Sequence, residues 1–295
     1  MASPSSGSAA LPVHVRRATP ADAAECGRIC YHAFYSIAAQ HNFPPDVPSV
    51  EAAQGLMGML FSHPQFYCVI AESEGRVVGS NCLDERSSVA GIGPITIDPA
   101  VQNRGAGRAL MLAVMERSKS QRHPGMRLVQ AAYHRRSLSL YAKLGFIVRE
   151  PLAVITGDPL RRTTEGYRVR KASSADLEAC ARLCFQVHGH ERTSDLKDGI
   201  QRGSATVVER AGRITAYCSV LGFFGYAVAE TTSDLAVMIA AAESFEGPGF
   251  LLPMRNAELF RWCLENGLRV VEPLTLMTVG LYSEPQGAYL PSILY

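Results

Sequence analysis

An internal repeat limits the folds open to this chain more than any other feature of its sequence. The stretch VRRATPAD at 15–22 recurs as VRKASSAD at 169–176. A second echo follows in the same order, because FYCVIAE at 66–72 is matched by ATVVE at 205–209. Two echoes in one order predict two copies of one fold. We therefore divide the chain into a flexible tail (1–12), a first copy (13–158), a linker (159–166) and a second copy (167–295).

The local patterns of the first copy alternate between strands and helices. Strands are predicted at 13–18, 66–72, 76–84, 92–98, 127–133 and 146–156, and helices at 21–34, 49–61, 105–120 and 136–144. Thr19 and Ser173 are predicted to cap the first helix of each copy. The second copy is expected to end with a helix near 256–266 and a strand around 274–281. The chain is therefore assigned to the α/β class, with a mixed, mainly antiparallel sheet flanked by helices in each copy.

Composition excludes several classes of function. The 29 basic residues nearly balance the 27 acidic ones, which gives a formal net charge of +2, so nucleic acid is not expected as a partner. The longest apolar run, Leu235–Ala242, is far shorter than the roughly 20 residues that span a bilayer, so no membrane partner is expected. Residues 1–12 lack the charged start and apolar stretch of a secretory signal, and we expect a cytoplasmic protein.

The eight cysteines are expected to be free thiols in such a reducing compartment. Cys26 with Cys30, and Cys180 with Cys184, are each four residues apart on predicted helices. This spacing is compatible with a metal site, but interleaved apolar residues favour core packing. The HGHE sequence at 188–191 is also interpreted as a polar loop, since no second cluster of ligands accompanies it. No metal is expected.

A glycine-rich loop lies between a predicted strand and the start of a predicted helix. The first amides of a helix have no partner within the helix and carry the positive end of its dipole, so they form a site for anions. Glycines allow phosphate to approach the backbone closely. The loop lacks the three glycines of a dinucleotide-binding fold and the Gly-Lys-Ser/Thr of a P-loop. The predicted phosphate-binding residues are Gln102, Asn103, Arg104, Gly105, Ala106, Gly107 and Arg108.

A second motif follows about thirty residues later. The predicted strand LVQAAY at 128–133 leads to His134 and then to LYAKLGF at 140–146, where Gly145 suits a helix C-cap. With the Gln-x-x-Gly-x-Gly loop, this ending resembles the GNAT superfamily of acyl-CoA-dependent N-acyltransferases. The resemblance covers residues 13–156 and implies that acetyl-CoA is the co-substrate. His134 departs from the family, because relatives often have an asparagine there that contacts the cofactor.

The resemblance implies a role for each site residue. The pantetheine arm of the cofactor is expected to pair with the backbone of Ile95, Thr96 and Ile97, and the amide of Ile97 or of a neighbouring residue to stabilise the oxyanion. Pro94 lacks an amide hydrogen, so a bulge or a splayed strand is expected beside it. Tyr141 matches the general acid of the family and would also contact the cofactor, although ring packing alone would account for a tyrosine there.

No general base is evident in the sequence. Relatives often use a carboxylate that reaches in from the strands. Glu85 is the first candidate here, followed by Asp84 and Asp98, and each is alternatively a surface carboxylate. The function implied is transfer of an acetyl group from acetyl-CoA to a primary amine, of a small molecule or a protein, by direct attack in a ternary complex. The alternative is a non-catalytic acyl-CoA sensor that binds a partner.

The second copy resembles a degenerate GNAT domain. Where the phosphate loop is expected, residues 240–249 lack the motif and include Pro248 and two acidic residues. Trp262 lies close to the place of Tyr141. The arrangement, with the closing sequence GAYLPSILY at 287–295, resembles the bacterial tandem-GNAT acetyltransferases. The second copy would then bind no CoA and would border the acceptor pocket or hold a partner, and a homodimer is one such assembly.

Overall fold

The computed structural model describes residues 13–295, so the predicted tail at 1–12 lies outside the described residues. Its first half carries the elements that the alternating pattern predicted. In chain order they are β1 (His14–Arg17), α1 (Ala23–Gln40), α2 (Val50–Ser62), β2 (Phe66–Ser73), β3 (Arg76–Asp84), β4 (Ala90–Ile92), β5 (Thr96–Ile97), α3 (Ala106–Ser120), β6 (Gly125–Ala131), α4 (Arg135–Lys143) and β7 (Ile147–Thr156). The helix α1 is longer than predicted, and the single strand predicted at 92–98 is two strands.

The second half repeats the opening strand, helix pair and hairpin. Its elements are β8 (Tyr167–Lys171), α5 (Leu177–His188), α6 (Thr193–Gln201), β9 (Thr206–Arg210), β10 (Arg213–Cys218), β11 (Ala227–Ala229), α7 (Thr232–Ala241), β12 (Phe250–Pro253), α8 (Ala257–Glu265), β13 (Arg269–Gly280) and β14 (Ala288–Leu290). The apolar run at 235–242 is the buried part of α7. No helix in the described part of the chain is long and apolar enough to cross a membrane.

The chain packs into two compact units. The first contains the described residues up to Leu83 together with Pro94–Arg122. Within it the strand order is β1-β2-β3, and β5 pairs antiparallel with β3. Helices α1 and α2 pack on each other, and α3 packs on β2. The boundaries of these two units differ from those of the two copies predicted from the sequence repeat. The copy boundaries at 158 and 167 therefore stay predictions.

The second unit contains Asp84–Gly93 and His123–Tyr295. One of its sheets has the order β4-β6-β13-β7-β12, and the other has the order β14-β11-β10-β9-β8. Strand β4 runs parallel to β6, whereas β13 is antiparallel to both β6 and β7. The mixed α/β architecture with a mainly antiparallel sheet is therefore confirmed.

The two halves of the chain exchange their last strands within this unit. Strand β13, from the second half, lies between β6 and β7, and β7, from the first half, lies between β13 and β12. The exchange follows the sequence repeat, because corresponding residues of the two exchanged strands have corresponding partners. Leu274 of β13 pairs with Ala131 of β6, and Leu152 of β7 pairs with Pro253 of β12. The sequence Glu-Pro-Leu occurs in both exchanged strands, at 150–152 and at 272–274. It is a third echo of the repeat, and it was not recognised from the sequence alone.

The two copies also repeat one ion-pair arrangement. In the first copy, Arg16 binds Asp22 at 2.8 Å and Glu72 at 2.9 Å. The second copy has the same arrangement with the same three residue types, formed by Arg170, Asp176 and Glu209. The N-caps predicted from the sequence, Thr19 and Ser173, form capping boxes in both copies. The charge cluster ties the first strand of each copy to its first helix and to the hairpin.

The structure corrects one expectation about cysteine. Cys68 on β2 and Cys82 on β3 form a disulfide, so not all eight cysteines are free thiols. The two helical pairs, at 26 and 30 and at 180 and 184, are fully buried as predicted, and burial raises the pKa of each of these thiols. No group of three metal-ligating residues occurs among residues 13–295.

Candidate acetyl-CoA site

The strand before the phosphate loop is interrupted where the sequence predicted a bulge. Strand β4 ends at Ile92, Gly93 has a φ of +140°, and β5 begins only at Thr96. Pro94 lies in this break, together with Ile95. Since β4 pairs with β6 and β5 pairs with β3, the chain leaves one unit and enters the other at this point. The break leaves the backbone around Ile95 outside both strand ladders.

Strand β5 is held close to β3 by a glycine. A β-carbon at Gly79 would lie 2.4 Å from the carbonyl oxygen of Thr96, so only glycine fits there. The Thr96 side chain is buried, and its hydroxyl lies 3.4 Å from that of Ser80. Ile97 is half-buried, and its carbonyl accepts a hydrogen bond of 3.3 Å from the amide group of Gln102. The predicted pantetheine strand and the phosphate loop are therefore linked directly.

The phosphate loop ends in an uncapped helix start. Gly105 has a φ of +97° immediately before α3, and no side chain caps the first amides of that helix. A β-carbon at Gly105 would meet nothing within 4 Å, so the space beside it is open. The neighbouring Arg104 and Arg108 are exposed, and the first turn carries no acidic residue. Free amides, the helix dipole and two exposed guanidinium groups fit the diphosphate of coenzyme A.

A cleft that was not predicted from the sequence lies beside this segment. It has a volume of about 340 Å³ and is formed by α1 and by residues 98–100. Its polar lining includes Arg28, His32 and Asp98. Asp98 is already engaged locally, because its carboxylate accepts a hydrogen bond of 3.0 Å from the amide of Ala100. The sequence did not indicate this cleft, because Arg28 and His32 look like ordinary exposed polar residues of a helix.

Tyr141, the predicted general acid, lies on α4 in the second unit. It is only 5% exposed, and its ring centre is 6.3 Å from that of Phe146. Burial raises the pKa of the phenol, whereas the sequence led us to expect an ordinary pKa of about 10. The side chain therefore keeps its proton firmly at neutral pH. Gly145, with a φ of +93°, follows the end of α4 as predicted.

The three candidate bases differ in burial, and the contacts of Asp84 are the most fully defined. Asp84 is buried, and both of its oxygens accept hydrogen bonds from Arg86, at 3.0 Å and 2.7 Å. Both oxygens of Asp84 are therefore already occupied by one guanidinium group. Glu85 follows β3 and is half-buried. It remains the first candidate of the three, and its role stays a prediction.

The counterpart of the phosphate loop in the second copy is not at 240–249, where we expected it. That segment follows the end of α7 and leads into β12, so no helix begins there. The strand-to-helix junction of the second copy is β11–α7, and there the Thr231 hydroxyl accepts a hydrogen bond of 3.2 Å from the amide of Asp234. A side-chain cap and an acidic first turn leave no cradle for an anion.

The counterpart of Tyr141 in the second copy is one residue away from the one we expected. Helices α4 and α8 both have nine residues, with N-caps His134 and Asn256. Tyr141 is the seventh residue after its N-cap, and the seventh residue of α8 is the fully buried Cys263, not Trp262. Neither degenerate feature excludes a binding role for the second copy, and its inability to bind CoA stays a prediction.

The comparisons with known proteins agree with this geometry. Residues 31–146 match the model of the acetyltransferase (GNAT) family. A protein of Pyrococcus horikoshii, solved as a candidate acetyltransferase, is 18% identical with a TM-score of 0.72, and the match covers 96% of this chain and 92% of that one. A GCN5-related N-acetyltransferase from Sphaerobacter thermophilus is 15% identical with a TM-score of 0.62, over 93% of this chain and 98% of that one.

A tandem GNAT protein from the clavulanic acid biosynthesis pathway also matches nearly end to end. It is 13% identical with a TM-score of 0.54, and the match covers 91% of this chain and 98% of that chain. No curated protein sequence matched this one. At these identities the solved structures establish the fold, and the family model establishes the domain. Residues 31–146 of this chain therefore carry a domain of the acetyltransferase (GNAT) family.

Proposed function

We propose that this protein transfers the acetyl group of acetyl-CoA to a primary amine, and that its first copy, 13–158, holds the cofactor. The observation that carries the proposal is the open, uncapped start of α3 after Gly105, within the segment that matches the family model. Free helix amides next to exposed arginines favour a diphosphate over a neutral ligand. Acetyl-CoA would supply the thioester that is attacked.

Binding is divided among three groups of residues. The amides at 106–108 and the exposed Arg104 and Arg108 would hold the diphosphate, while Gln102 and Asn103 shape the loop. The pantetheine arm would lie along the backbone of 95–97, where the interrupted strand leaves peptide groups outside the ladders. Tyr141 would lie near the sulfur atom.

The reaction requires two proton movements. The amine is deprotonated, with Glu85 as the candidate base, and its lone pair attacks the thioester carbonyl carbon. The tetrahedral oxyanion is stabilised by the amide of Ile97 or of a neighbouring residue. The carbon–sulfur bond then breaks, and the leaving sulfur takes the phenol proton of Tyr141. A phenol is protonated at neutral pH and can supply this proton, and burial, which raises the pKa of Tyr141, makes it a weaker acid than an exposed tyrosine.

The acceptor is a small-molecule amine or a protein amino group. A second candidate function, a non-catalytic acyl-CoA sensor, is favoured by one observation: Asp84 is occupied by Arg86, so the most buried of the candidate bases is engaged. The two functions share the binding site at α3 and differ only in turnover.

Calorimetric titration with CoA, followed by an assay of thiol release, tests both functions. The purified protein is supplied with acetyl-CoA and a panel of primary amines, and free CoA is measured over time. We expect saturable CoA binding and amine-dependent thiol release. Binding without release across the panel supports the sensor. Absence of saturable CoA binding contradicts both functions.

A further inference from the structure

Two sequence motifs that acetyl transfer does not use meet inside the second unit. The HGHE loop at 188–191 lies against the closing residues of the chain, and the final residue, Tyr295, is 1% exposed. The guanidinium carbon atoms of Arg127 and Arg192 lie 4.4 Å and 4.7 Å from the centre of the Tyr295 ring. The phenol oxygen accepts a hydrogen bond from Arg127 and lies 3.3 Å from Nε2 of His190.

Arg127 is a buried cation without a carboxylate partner among residues 13–295. It lies on β6, is 1% exposed, and burial lowers its pKa. Arg86, another arginine of the second unit with a buried side chain, is different, because it binds Asp84, Asp195 and Asp198 at 2.7–3.0 Å, and these carboxylates raise its pKa. An unpaired buried charge is strongly unfavourable. The chain thus pairs one buried arginine fully and leaves another facing aromatic rings.

Several nitrogen atoms around Tyr295 have no hydrogen-bond partner within the described residues 13–295. They are Nε of Arg127, Nε of Arg192 and Nδ1 of His188, and all three are buried. Arg192 reaches Asp195 only at 3.5 Å, through its Nη2 atom. His188 uses its other nitrogen, Nε2, for a contact of 2.7 Å with the Tyr226 hydroxyl. A group that only accepts hydrogen bonds would satisfy the two arginine donors, and a phenol has too few oxygens to do so.

The electrostatic surroundings also favour an anion. Burial and the neighbouring arginines lower the pKa of His190 to about 3, and the pKa of His188 is lowered by the same causes. Both imidazoles are therefore neutral at pH 7, next to two guanidinium groups. At these rings the field of Arg127 and Arg192 dominates, so a negative ligand is attracted there and a positive one is repelled.

Residues 291–295, which follow the last strand, take part in no sheet ladder of the described part of the chain. Strand β14 ends at Leu290, and Ile293 donates a backbone hydrogen bond of 2.9 Å to Phe223. Tyr295 has a φ of +105°, which is unfavourable for a residue with a side chain. Gly91 on β4 makes room for the tail, since a β-carbon there would lie 2.2 Å from the carbonyl oxygen of Leu294.

We propose that the pocket around Tyr295 is a binding site for a small organic carboxylate, and that Tyr295 covers the site until the ligand displaces it. The two carboxylate oxygens accept hydrogen bonds from the free donors of Arg127 and Arg192, and an aromatic ring in the ligand takes the place of the phenol ring. The site goes beyond acetyl transfer, because it uses no part of the phosphate loop and neither Tyr141 nor Glu85.

Hydrogen exchange at the backbone amides of Ile293 and Tyr295, both of which donate hydrogen bonds in this structure, tests the displacement in the unaltered protein. The probes are 4-hydroxyphenylacetate and its neutral amide, which match in shape and differ in charge. We expect slow exchange at these amides without ligand, at least tenfold faster and saturable exchange with the acid, and no acceleration with the amide. Equal acceleration by both probes, or by neither, contradicts the proposal.

Calorimetric titration of the Tyr295→Ala variant tests the pocket itself, without acetyl-CoA. With the ring removed, we expect the acid to bind at least tenfold more tightly than to the unaltered protein and at least tenfold more tightly than the amide. Adding Arg127→Met should remove this preference, and Arg192→Met is the second variant if Arg127→Met does not fold. Equal affinity of Tyr295→Ala for the acid and the amide overturns the proposal.

Discussion

The backbone amides at the start of α3 have no side-chain cap in the described part of the chain, whereas those at the start of α7 are capped. At α3, Gly105 precedes the helix, no side chain caps the first amides, and Arg104 and Arg108 are exposed beside them. At α7, Thr231 caps the helix, and the buried Asp234 lies in its first turn. Capping a helix typically contributes about 1 kcal/mol of stability, which α3 forgoes. The uncapped start of α3 therefore lowers the stability of the protein by a measurable amount, and binding of an anion there would restore it.

The same contrast continues at the next helix of each copy. The seventh residue of α4 is a tyrosine that keeps a hydroxyl next to the interior, while the seventh residue of α8 is a buried cysteine. The second copy therefore has a side-chain cap and a buried cysteine at the two places where the first copy has uncapped amides and a tyrosine. The comparison predicts that substitutions in the first copy affect function and that substitutions in the second affect stability.

The largest effect is expected at Tyr141. Tyr141→Phe removes the phenol proton and should lower kcat roughly 100-fold, the low end of the usual effect of a general acid, while CoA affinity stays the same. Steady-state thiol release measures it. Cys263→Ala is the matched control in α8 and should leave kcat unchanged. An unaltered kcat in Tyr141→Phe would remove Tyr141 from the mechanism.

A smaller loss is expected at Gly105. Gly105→Val forces a β-branched residue into a φ of +97°, at a cost of about 1–3 kcal/mol, and its side chain projects into the open space where the diphosphate would lie. CoA affinity measured by calorimetry should fall roughly 10- to 100-fold. The control is Gly203→Val, at an open position with a φ of +69°. Similar CoA affinity in both variants would contradict the phosphate loop.

Lowering the pH is expected to destabilise the folded protein through a histidine of the second copy. The pKa of His190 is lowered to about 3 from an unfolded value near 6.5, so the unfolded chain binds more protons than the folded one within this range. The contribution of His190 to the free energy of unfolding should therefore fall by about 1.4 kcal/mol for each pH unit between about pH 5.5 and 4, and less steeply closer to pH 6.5. Urea unfolding at several pH values measures this slope. A His190→Asn variant should show a shallower slope, and an equal slope would refute the assignment.

The smallest effect is expected at the capped helix. Thr231→Ala removes the hydroxyl that caps α7 and should lower the free energy of unfolding by about 1 kcal/mol. CoA affinity should not change, since α7 has no role in the phosphate site. Urea unfolding and calorimetry measure the two quantities. A loss of CoA affinity without a loss of stability would show that the second copy contributes to cofactor binding.

Local features of the site could be predicted from the sequence because they depend on residues close together in the chain. The helix start at Gly105, the break at Pro94 and the end of α4 at Gly145 each follow from one residue's backbone preference. The family motifs led to the same segments. Helix α7 was missed because its apolar run has no polar face and thus no helical periodicity.

Long-range features could not be predicted. The strand exchange depends on pairing between residues about 140 positions apart, such as Leu274 and Ala131, and an alternating strand pattern does not specify its partner. The Cys68–Cys82 disulfide was missed because the expected compartment argued against it. The packing of Arg127 on the Tyr295 ring, with no carboxylate partner in the described part of the chain, likewise arises only when β6 and residues 291–295 come together.

The exchanged strands also affect how the protein is made. On the ribosome, β6 and β7 are complete long before residues 269–280 exist, and these two strands are joined only through the strand that is still missing. At usual rates of translation, the gap between β6 and β7 stays open for about 6–25 seconds. During that interval the nascent chain exposes two unpaired strand edges, which are prone to aggregation. A gene fragment that stops after the first copy would therefore be expected to yield insoluble protein.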